Sequence, residues 1–118
     1  MLQQKLRQIG DGLKTLTENC THYYRTDTFP AIVWAESGEE YSFNSDNKKS
    51  EQRIVGTVDL FTKTEFDDLI DDVQEALESL GLTWYLESVQ YEDETKVIHY
   101  EWTWGVTFNG EMEEQSGP

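Results

Sequence analysis

The N-terminal segment has the hydrophobic spacing of an amphipathic helix. Apolar residues recur at alternating steps of four and three, at Leu2, Leu6, Ile9, Leu13 and Leu16. On a helix of 3.6 residues per turn these side chains share one face. Gly10 and Gly12 interrupt the segment, and a glycine inside a helix costs about 1 kcal/mol relative to alanine. The pattern predicts an N-terminal helix that is weak at its centre.

Four later segments, 31–35, 53–62, 83–91 and 96–108, are rich in the β-branched and aromatic residues that favour strands. The last one alternates most cleanly, because every second residue is large and apolar: Ile98, Tyr100, Trp102, Trp104, Val106 and Phe108. This alternation predicts a strand with one buried face. Residues 37–52 are polar and have no period, which predicts a long loop between the first two of these strands.

Residues 64–81 have the pattern of a second amphipathic helix. At 100° per residue, one stripe contains only apolar side chains: Phe66, Leu69, Ile70, Val73, Leu77 and Leu80. The segment also contains seven acidic residues and no basic residue, and the acids fall on the opposite side. Thr64 is placed to cap the N-terminus, and Gly81 is placed to end the helix in a left-handed conformation.

These elements predict an α+β fold in a single domain, residues 1–108. We expect an antiparallel, or mixed, sheet of about four strands. The N-terminal helix and the central helix pack on one face of it, because each of them has one apolar side to bury. The loop at 37–52 is expected to be mobile. Residues 109–118 are polar and are predicted to form a flexible tail.

Composition narrows the classes of function. The 118 residues include 24 acidic and 9 basic side chains, for a formal net charge of −15 and a pI near 4.2. Nucleic-acid backbones and anionic membrane surfaces attract Lys and Arg, so we expect neither specific nucleic-acid binding nor membrane binding. A single cysteine excludes an internal disulfide framework. The first residues lack a long apolar run, so no signal peptide is expected.

The residues that could carry chemistry do not indicate an enzyme. The acids of 64–81 cover a broad solvated face, whereas a catalytic carboxylate pair needs contrasting environments inside a cleft. His22 and His99 are isolated in the sequence, and Cys20 is expected to be a small core residue. The sequence has no glycine-rich phosphate loop and no nucleophile elbow. We therefore expect no catalytic residue, no metal ion and no cofactor.

Contact with other proteins is the remaining class of function. Trp102 and Trp104 are expected in the core, on the buried face of the last strand. Some of Trp34, Tyr41 and Phe43 are expected to be exposed and to serve an interface, because aromatic residues are enriched where proteins bind one another.

Three short patterns and the order of the elements resemble the tail terminator, or tail completion, proteins of long-tailed bacteriophages. PAIVW at 30–34 precedes the polar segment, and VDLFTK at 58–63 leads into the central helix. YEWTW at 100–104 lies near the end of the final hairpin. The resemblance covers residues 2–108.

This resemblance implies a virion structural protein without a cofactor, present in the host cytoplasm during assembly and then in the tail. Members of the family are small α+β subunits that form a ring, often a hexamer, on the end of the tail tube. The ring stops tube growth and joins the tail to the head, and DNA crosses its central channel. The implied partners are other copies of the chain, the tail tube protein and the head–tail connector protein.

The residues expected to make these contacts lie in and after the polar segment: Tyr41, Phe43, Lys48, Lys49 and Arg53. The adjacent lysines can pair with an acidic face of the next subunit in a ring. They can equally serve only to keep a loop soluble.

The acids of the central helix have three possible explanations. In a ring, Asp71, Asp72 and Glu75 would face the DNA channel, where repulsion keeps passing DNA from adhering. Solubility alone explains the same charge. The alternative function is that of a small acidic protein that mimics DNA and inhibits a basic protein partner.

Overall fold

The computed structural model describes residues 1–40 and 51–109, and between these ranges only the strand positions 44–45 and 48–49. The elements occur in the order α1 (Leu2–Lys14), β1 (Cys20–His22), β2 (Ala31–Glu40), β3 (Asn44–Ser45), β4 (Lys48–Lys49), β5 (Glu51–Thr62), α2 (Leu69–Ser79), β6 (Thr83–Glu92) and β7 (Val97–Asn109). The predicted α+β fold, with its N-terminal and central helices, is confirmed. The predicted tail beyond Asn109 lies outside the described residues.

The main sheet is mixed and has five strands in the order β1-β2-β5-β7-β6. The β1–β2 pair is parallel, and the other three pairs are antiparallel. The prediction of about four strands is one too few, and the strand that it missed is β1, which is three residues long. A strand of that length has too few residues to show an alternating pattern.

The prediction of a long loop at 37–52 is wrong at both ends. Strand β2 continues to Glu40, and β5 begins at Glu51. A register shift lies between Glu36 and Gly38, after which Glu40 pairs with Arg53. Backbone hydrogen bonds to a neighbouring strand hold this polar stretch, and such bonds leave no hydrophobic period in the sequence. Strands β3 and β4 pair with each other in a separate two-stranded sheet.

The core lies between the helices and one face of the sheet. Helix α1 contributes Ile9 and Leu13 and helix α2 contributes Val73 and Leu77, all fully buried. From the sheet come Ile32, Trp34, Ile54, Val58, Leu60, Trp102, Trp104 and Phe108. The predicted core positions of Trp102 and Trp104 are confirmed. The buried indole N–H groups have partners, since Trp102 Nε1 donates to Gln74 Oε1 and Trp104 Nε1 to the Thr57 carbonyl, each at 3.1 Å.

Close packing against tryptophan explains two glycines. A Cβ atom at Gly10 would lie 2.8 Å from Cζ2 of Trp34, so the glycine lets α1 approach the indole ring. A Cβ atom at Gly56 would lie 2.2 Å from the Ala35 carbonyl oxygen and 2.3 Å from Trp104. Gly10, which weakens α1 by its helix propensity, therefore makes the helix-to-sheet contact possible.

Helix α2 begins later than its sequence pattern suggests. It starts at Leu69, so the expected N-cap at Thr64 is wrong. The N-cap position is Asp68, whose side chain makes no cap bond; the preceding residue, Asp67, caps the first turn instead, because its Oδ1 accepts a hydrogen bond from the Leu69 N–H at 2.9 Å. Phe66 was expected on the buried stripe, but its side chain is 85% exposed. The predicted end of the helix is confirmed, since the C-cap is Leu80 and Gly81 has a φ of +74°.

Candidate functional site

The most distinctive surface is a trough between α2 and the edge strand β6. It has a volume of about 300 Å³ and is lined by Asp71, Gln74, Glu75, Glu78 and Trp84. Trp84 Nε1 donates a hydrogen bond to Glu78 Oε1 at 2.9 Å, which holds the indole ring against the helix. One wall of this β6 trough is therefore acidic, and none of its lining residues is basic.

An apolar floor extends from Trp84 along β6. Leu86, Val89 and Tyr91 are 43%, 51% and 56% exposed. They pair in register with Trp102, Tyr100 and Ile98 of β7, which lie on the face of the sheet that carries the helices. Helix α2 covers that face at Trp102, whose indole N–H donates to Gln74, but it leaves Leu86, Val89 and Tyr91 open to solvent.

A β-bulge keeps these apolar side chains on one face. The register between β6 and β7 shifts between Leu86 and Ser88. Successive side chains of a regular strand alternate between faces, so without the shift Val89 and Tyr91 would lie on the other side of the sheet. The bulge brings Leu86, Val89 and Tyr91 into one row, and this apolar floor continues from Trp84 beyond the residues that line the trough itself.

Strand β6 is also an edge strand, because β7 is its one neighbour among the described strands. Edge strands present unpaired backbone N–H and C=O groups, and many proteins protect them with lysine or proline. The ten residues of β6, TWYLESVQYE, contain neither. A free edge next to an exposed apolar row is a surface suited to binding another chain.

The structure separates the three acids that were predicted to face a channel. Asp71 lines the β6 trough, whereas Asp72 lines a groove between α1 and α2 together with Leu16 and Leu80. Glu75 borders both depressions. These acids therefore belong to two surfaces, and their facing a channel stays a prediction.

The predicted contact residues of the polar segment are only partly described. Tyr41 and Phe43 lie outside the described residues, and Lys48 and Lys49 form strand β4 with undescribed side chains. Arg53 is held within the subunit. Its guanidinium group donates to Glu40 Oε1 at 3.0 Å, to the Thr83 hydroxyl at 2.8 Å and to the Thr107 hydroxyl at 3.3 Å.

Arg53 therefore connects β5 to three other strands of the subunit, β2, β6 and β7. It lies on the face of the sheet that carries no helix, where Gly105 leaves room for it: a Cβ atom there would lie 2.4 Å from Arg53 Nη2. The side chain's role in the structure is internal, and its predicted role in an interface stays untested.

A cluster of aromatic and polar side chains joins β1 to β2. The His22 ring stacks on Trp34, with ring centroids 3.9 Å apart, and on Tyr23 at 3.8 Å. The carboxylate of Glu36 accepts a hydrogen bond from the Tyr23 hydroxyl and shares another with His22 Nε2, each 2.7 Å long. Trp34 is only 6% exposed, so it is not an exposed member of the set Trp34, Tyr41 and Phe43, and the other two lie outside the described residues. Trp34 is the contact point for α1.

The hydrogen bonds of this cluster act on its carboxyl group. Burial raises the pKa of Glu36, but the hydrogen bonds with Tyr23 and His22 outweigh it and hold that pKa below its ordinary value. The bond to the carboxylate in turn raises the pKa of the Tyr23 hydroxyl. The cluster is a structural link, since its polar groups are satisfied by one another.

The remaining histidine and the cysteine are parts of the structure. His99 Nε2 shares a 2.7 Å hydrogen bond with Asp59 Oδ1 across the β5–β7 pair, and its ring stacks on Phe61. Cys20 is buried, as predicted, and burial raises its pKa to about 11. No group of three His, Cys, Asp or Glu side chains in the described part of the chain is placed to hold a metal ion.

Two findings concern the chain as a whole. None of the helices among the described residues is both long enough and apolar enough to cross a membrane. Comparison of the chain with known protein families and with curated proteins finds no family and no relative that matches it.

Proposed function

We propose that this chain is a structural subunit of a bacteriophage tail, a tail terminator or tail completion protein. It forms a ring at the end of the tail tube, stops growth of the tube and joins the tail to the head connector. The observation that carries the proposal is the β6 trough: a free strand edge, an exposed apolar floor and an acidic wall on one side of a small domain. The resemblance of residues 2–108 to this family is the reason for assigning the docking surface to a phage tail.

The surface suits docking better than chemistry. The trough is open and shallow, and its polar groups lie along one wall. A catalytic site would instead bring several polar groups together around one point inside a cleft. Four apolar side chains, Trp84, Leu86, Val89 and Tyr91, are at least partly exposed on β6. Covering such side chains stabilises a complex by about 25 cal/mol for each Å² of apolar surface removed from water.

A ring makes a specific demand on the subunit. Cyclic assemblies larger than a dimer join two different surfaces of neighbouring copies. The β6 trough supplies one surface, and the second surface must lie elsewhere on the subunit. The proposal therefore requires a subunit that binds at two sites at once, as a terminator must when it binds its neighbours and the tube.

The proposal is tested by adding purified protein to tail tubes that were assembled without it. We expect electron microscopy to show rings at one end of each tube, at a ratio of a few copies per tube. The variant Leu86→Asp/Val89→Asp places charge on the floor of the trough and should abolish the rings. Protein that binds along the whole tube, or not at all, would contradict the proposal.

The second candidate function is inhibition of a basic protein by DNA mimicry. The acidic wall of the β6 trough, formed by Asp71, Glu75 and Glu78, is the observation that favours it. A DNA mimic would bind its partner as a monomer, and its affinity would fall steeply with salt. A ring subunit depends on the apolar floor as well, so the Leu86→Asp/Val89→Asp variant distinguishes the two: a mimic would keep its affinity.

A further inference from the structure

We propose that the free edge of β6 binds an extended, basic segment of a different protein, which adds a strand to the sheet. Lys or Arg side chains of that segment face the acidic wall of the β6 trough, and its apolar side chains cover the exposed row on β6. The inference rests on the proposed function only for the partner's place in the assembly. Of the two binding sites that a ring subunit on a tube needs, it makes this edge the one that meets another tail protein.

The unpaired edge of β6 is the first argument. The strand spans ten residues and pairs with β7 along one side, and it has no second neighbour among the described strands. A bulge can protect an edge, but the bulge between Leu86 and Ser88 leaves regular pairing from Ser88 to Glu92. An extended segment can therefore bond to this edge through its backbone.

The apolar row beside the edge is the second argument. Leu86, Val89 and Tyr91 are between 43% and 56% exposed, and the bulge places them on one face of the sheet. The side chains of an added strand alternate between the two faces, so every second one lies next to this row. An occupant with apolar side chains at alternate positions would cover it.

Helix α2 runs beside β6 in the opposite direction. Glu78 accepts a hydrogen bond from the Trp84 indole. About one turn earlier in the helix, Gln74 accepts one from Trp102, which pairs with Leu86. The helix therefore stands along the part of the strand that contains Trp84 and Leu86, and it forms a wall beside any segment that is added there.

The charge of α2 and β6 determines the charge of the occupant. Asp71, Glu75 and Glu78 recur at steps of four and three, so they share one face of the helix, and all three are exposed at the trough. Residues 64–95, which include both elements, contain eleven acidic residues and neither Lys nor Arg. The occupant must therefore supply the positive charge.

The same charge argues against a second copy of this chain as the occupant. Two copies joined at β6 by a two-fold axis would contribute the same surface to both sides of the contact. Their acidic walls would then meet, and each copy has a formal net charge of −15. Like charges placed together weaken an interface, so a basic segment of a different protein matches this edge better.

The surface also predicts the order of side chains in the partner. Trp84 is the one residue of β6 that lines the acidic trough, whereas Val89 and Tyr91 lie farther along the strand. Seven residues separate Trp84 from Tyr91, about 23 Å at 3.3 Å per residue. We expect Lys or Arg at the end of the segment beside Trp84, and large apolar residues at alternate positions beside Val89 and Tyr91.

A library of random peptides displayed on yeast tests these requirements without a known partner. The peptides have about twelve residues, enough to cover the length of β6, and they are selected for binding to the wild-type protein. We expect the selected peptides to contain Lys or Arg near one end and apolar residues at alternate positions. No selected peptide, or selected peptides without this pattern, would overturn the inference.

The most enriched peptide is then synthesised and titrated against the protein. Tryptophan fluorescence reports on Trp84, because the other three tryptophans are buried. We expect the variant Asp71→Asn/Glu75→Gln to weaken binding by about tenfold or more. The control Asp93→Asn/Glu94→Gln, in the turn after β6, changes the net charge equally and should bind as wild type does. Equal weakening by both would mean that net charge decides the affinity, and the inference is then wrong.

Methylation of the peptide's backbone nitrogens distinguishes strand addition from a contact of charges alone. An added antiparallel strand bonds to its neighbour through the N–H groups of every second residue. One peptide is methylated at its odd positions and a second one at its even positions. We expect one of them to lose binding by about tenfold or more and the other to keep it. Equal affinities of the two would overturn strand addition.

These measurements are independent of tail assembly. If the peptide binds as expected while tails have normal length without the chain, the inference holds and the proposed function fails. Light scattering tests the second copy. If the wild-type protein self-associates and Leu86→Asp/Val89→Asp makes it monomeric, the edge binds another copy and the inference is wrong. Circular dichroism checks that each variant is folded.

Discussion

Two glycines in the same helix give opposite predictions for the same substitution. Gly10 and Gly12 both lie inside α1, where replacement by alanine improves helix propensity by about 1 kcal/mol. Their surroundings differ. A Cβ atom at Gly10 would lie 2.8 Å from the Trp34 ring, whereas one at Gly12 would lie 3.3 Å from the methyl groups at the end of Leu80.

The expected size of the effect follows from what can move. Leu80 is partly buried and can rotate its side chain, so Gly12→Ala should stabilise the protein by about 0.5–1 kcal/mol. Trp34 is buried and stacked on His22, so its ring cannot give way. Overpacking of this kind costs about 1–3 kcal/mol, which cancels or exceeds the gain in propensity for Gly10→Ala.

Equilibrium unfolding in urea, followed by circular dichroism, measures both variants. The propensity gain is common to the two, so the difference in their free energies of unfolding isolates the packing cost. We expect Gly10→Ala to be less stable than Gly12→Ala by about 1–3 kcal/mol. Equal stability of the two variants, or greater stability of Gly10→Ala, would refute the packing of α1 on Trp34.

Three further predictions concern stability. Asp67→Ala should lower the free energy of unfolding by about 1 kcal/mol, because Asp67 caps α2. Asp68→Ala is its control and should change it by less than about 0.5 kcal/mol, since Asp68 makes no side-chain cap bond; equal losses would contradict the cap. Gly56→Ala should cost about 3 kcal/mol or more in urea unfolding, because the new Cβ atom would collide with the backbone; a wild-type midpoint would contradict this. Because the pKa of Glu36 is lower in the folded protein than its ordinary value of 4.5, this carboxylate stabilises the fold at pH values above 4.5. That stabilisation is lost as the pH falls through the lowered pKa of the folded state. The stability of the variant Glu36→Gln should therefore fall less steeply than that of the wild type as the pH is lowered in an acid-unfolding experiment. An acid transition identical to that of the wild type would contradict this role of Glu36.

The fold was largely predictable because its elements leave a period in the sequence. Both helices and the long strands β5 and β7 bury one side, and this produces the three-and-four spacing or the alternation that predicts them. Strand β6 was predictable from its β-branched and aromatic residues instead. Where backbone pairing alone holds the chain, as in β1 and the polar end of β2, there is no such period. These are the elements that the sequence did not reveal.

The candidate site was less predictable, because it depends on register and on neighbours. Leu86, Val89 and Tyr91 look like core residues in the sequence, but the limited reach of α2 leaves them exposed, and the bulge collects them on one face. Trp34 looks like an interface residue, but Gly10 of a distant segment packs on it. The acidic character of α2 was visible from the start, whereas its division between two surfaces required the structure.

The central claim, that this subunit ends the growth of a tail tube, is tested most directly by tail length. Tails are produced in host cells from a phage genome that lacks this chain, and their lengths are measured by electron microscopy. We expect tubes that exceed the normal length and do not join heads, with normal tails restored when the chain is supplied from a plasmid. Tails of normal length, joined to heads in its absence, would contradict the account.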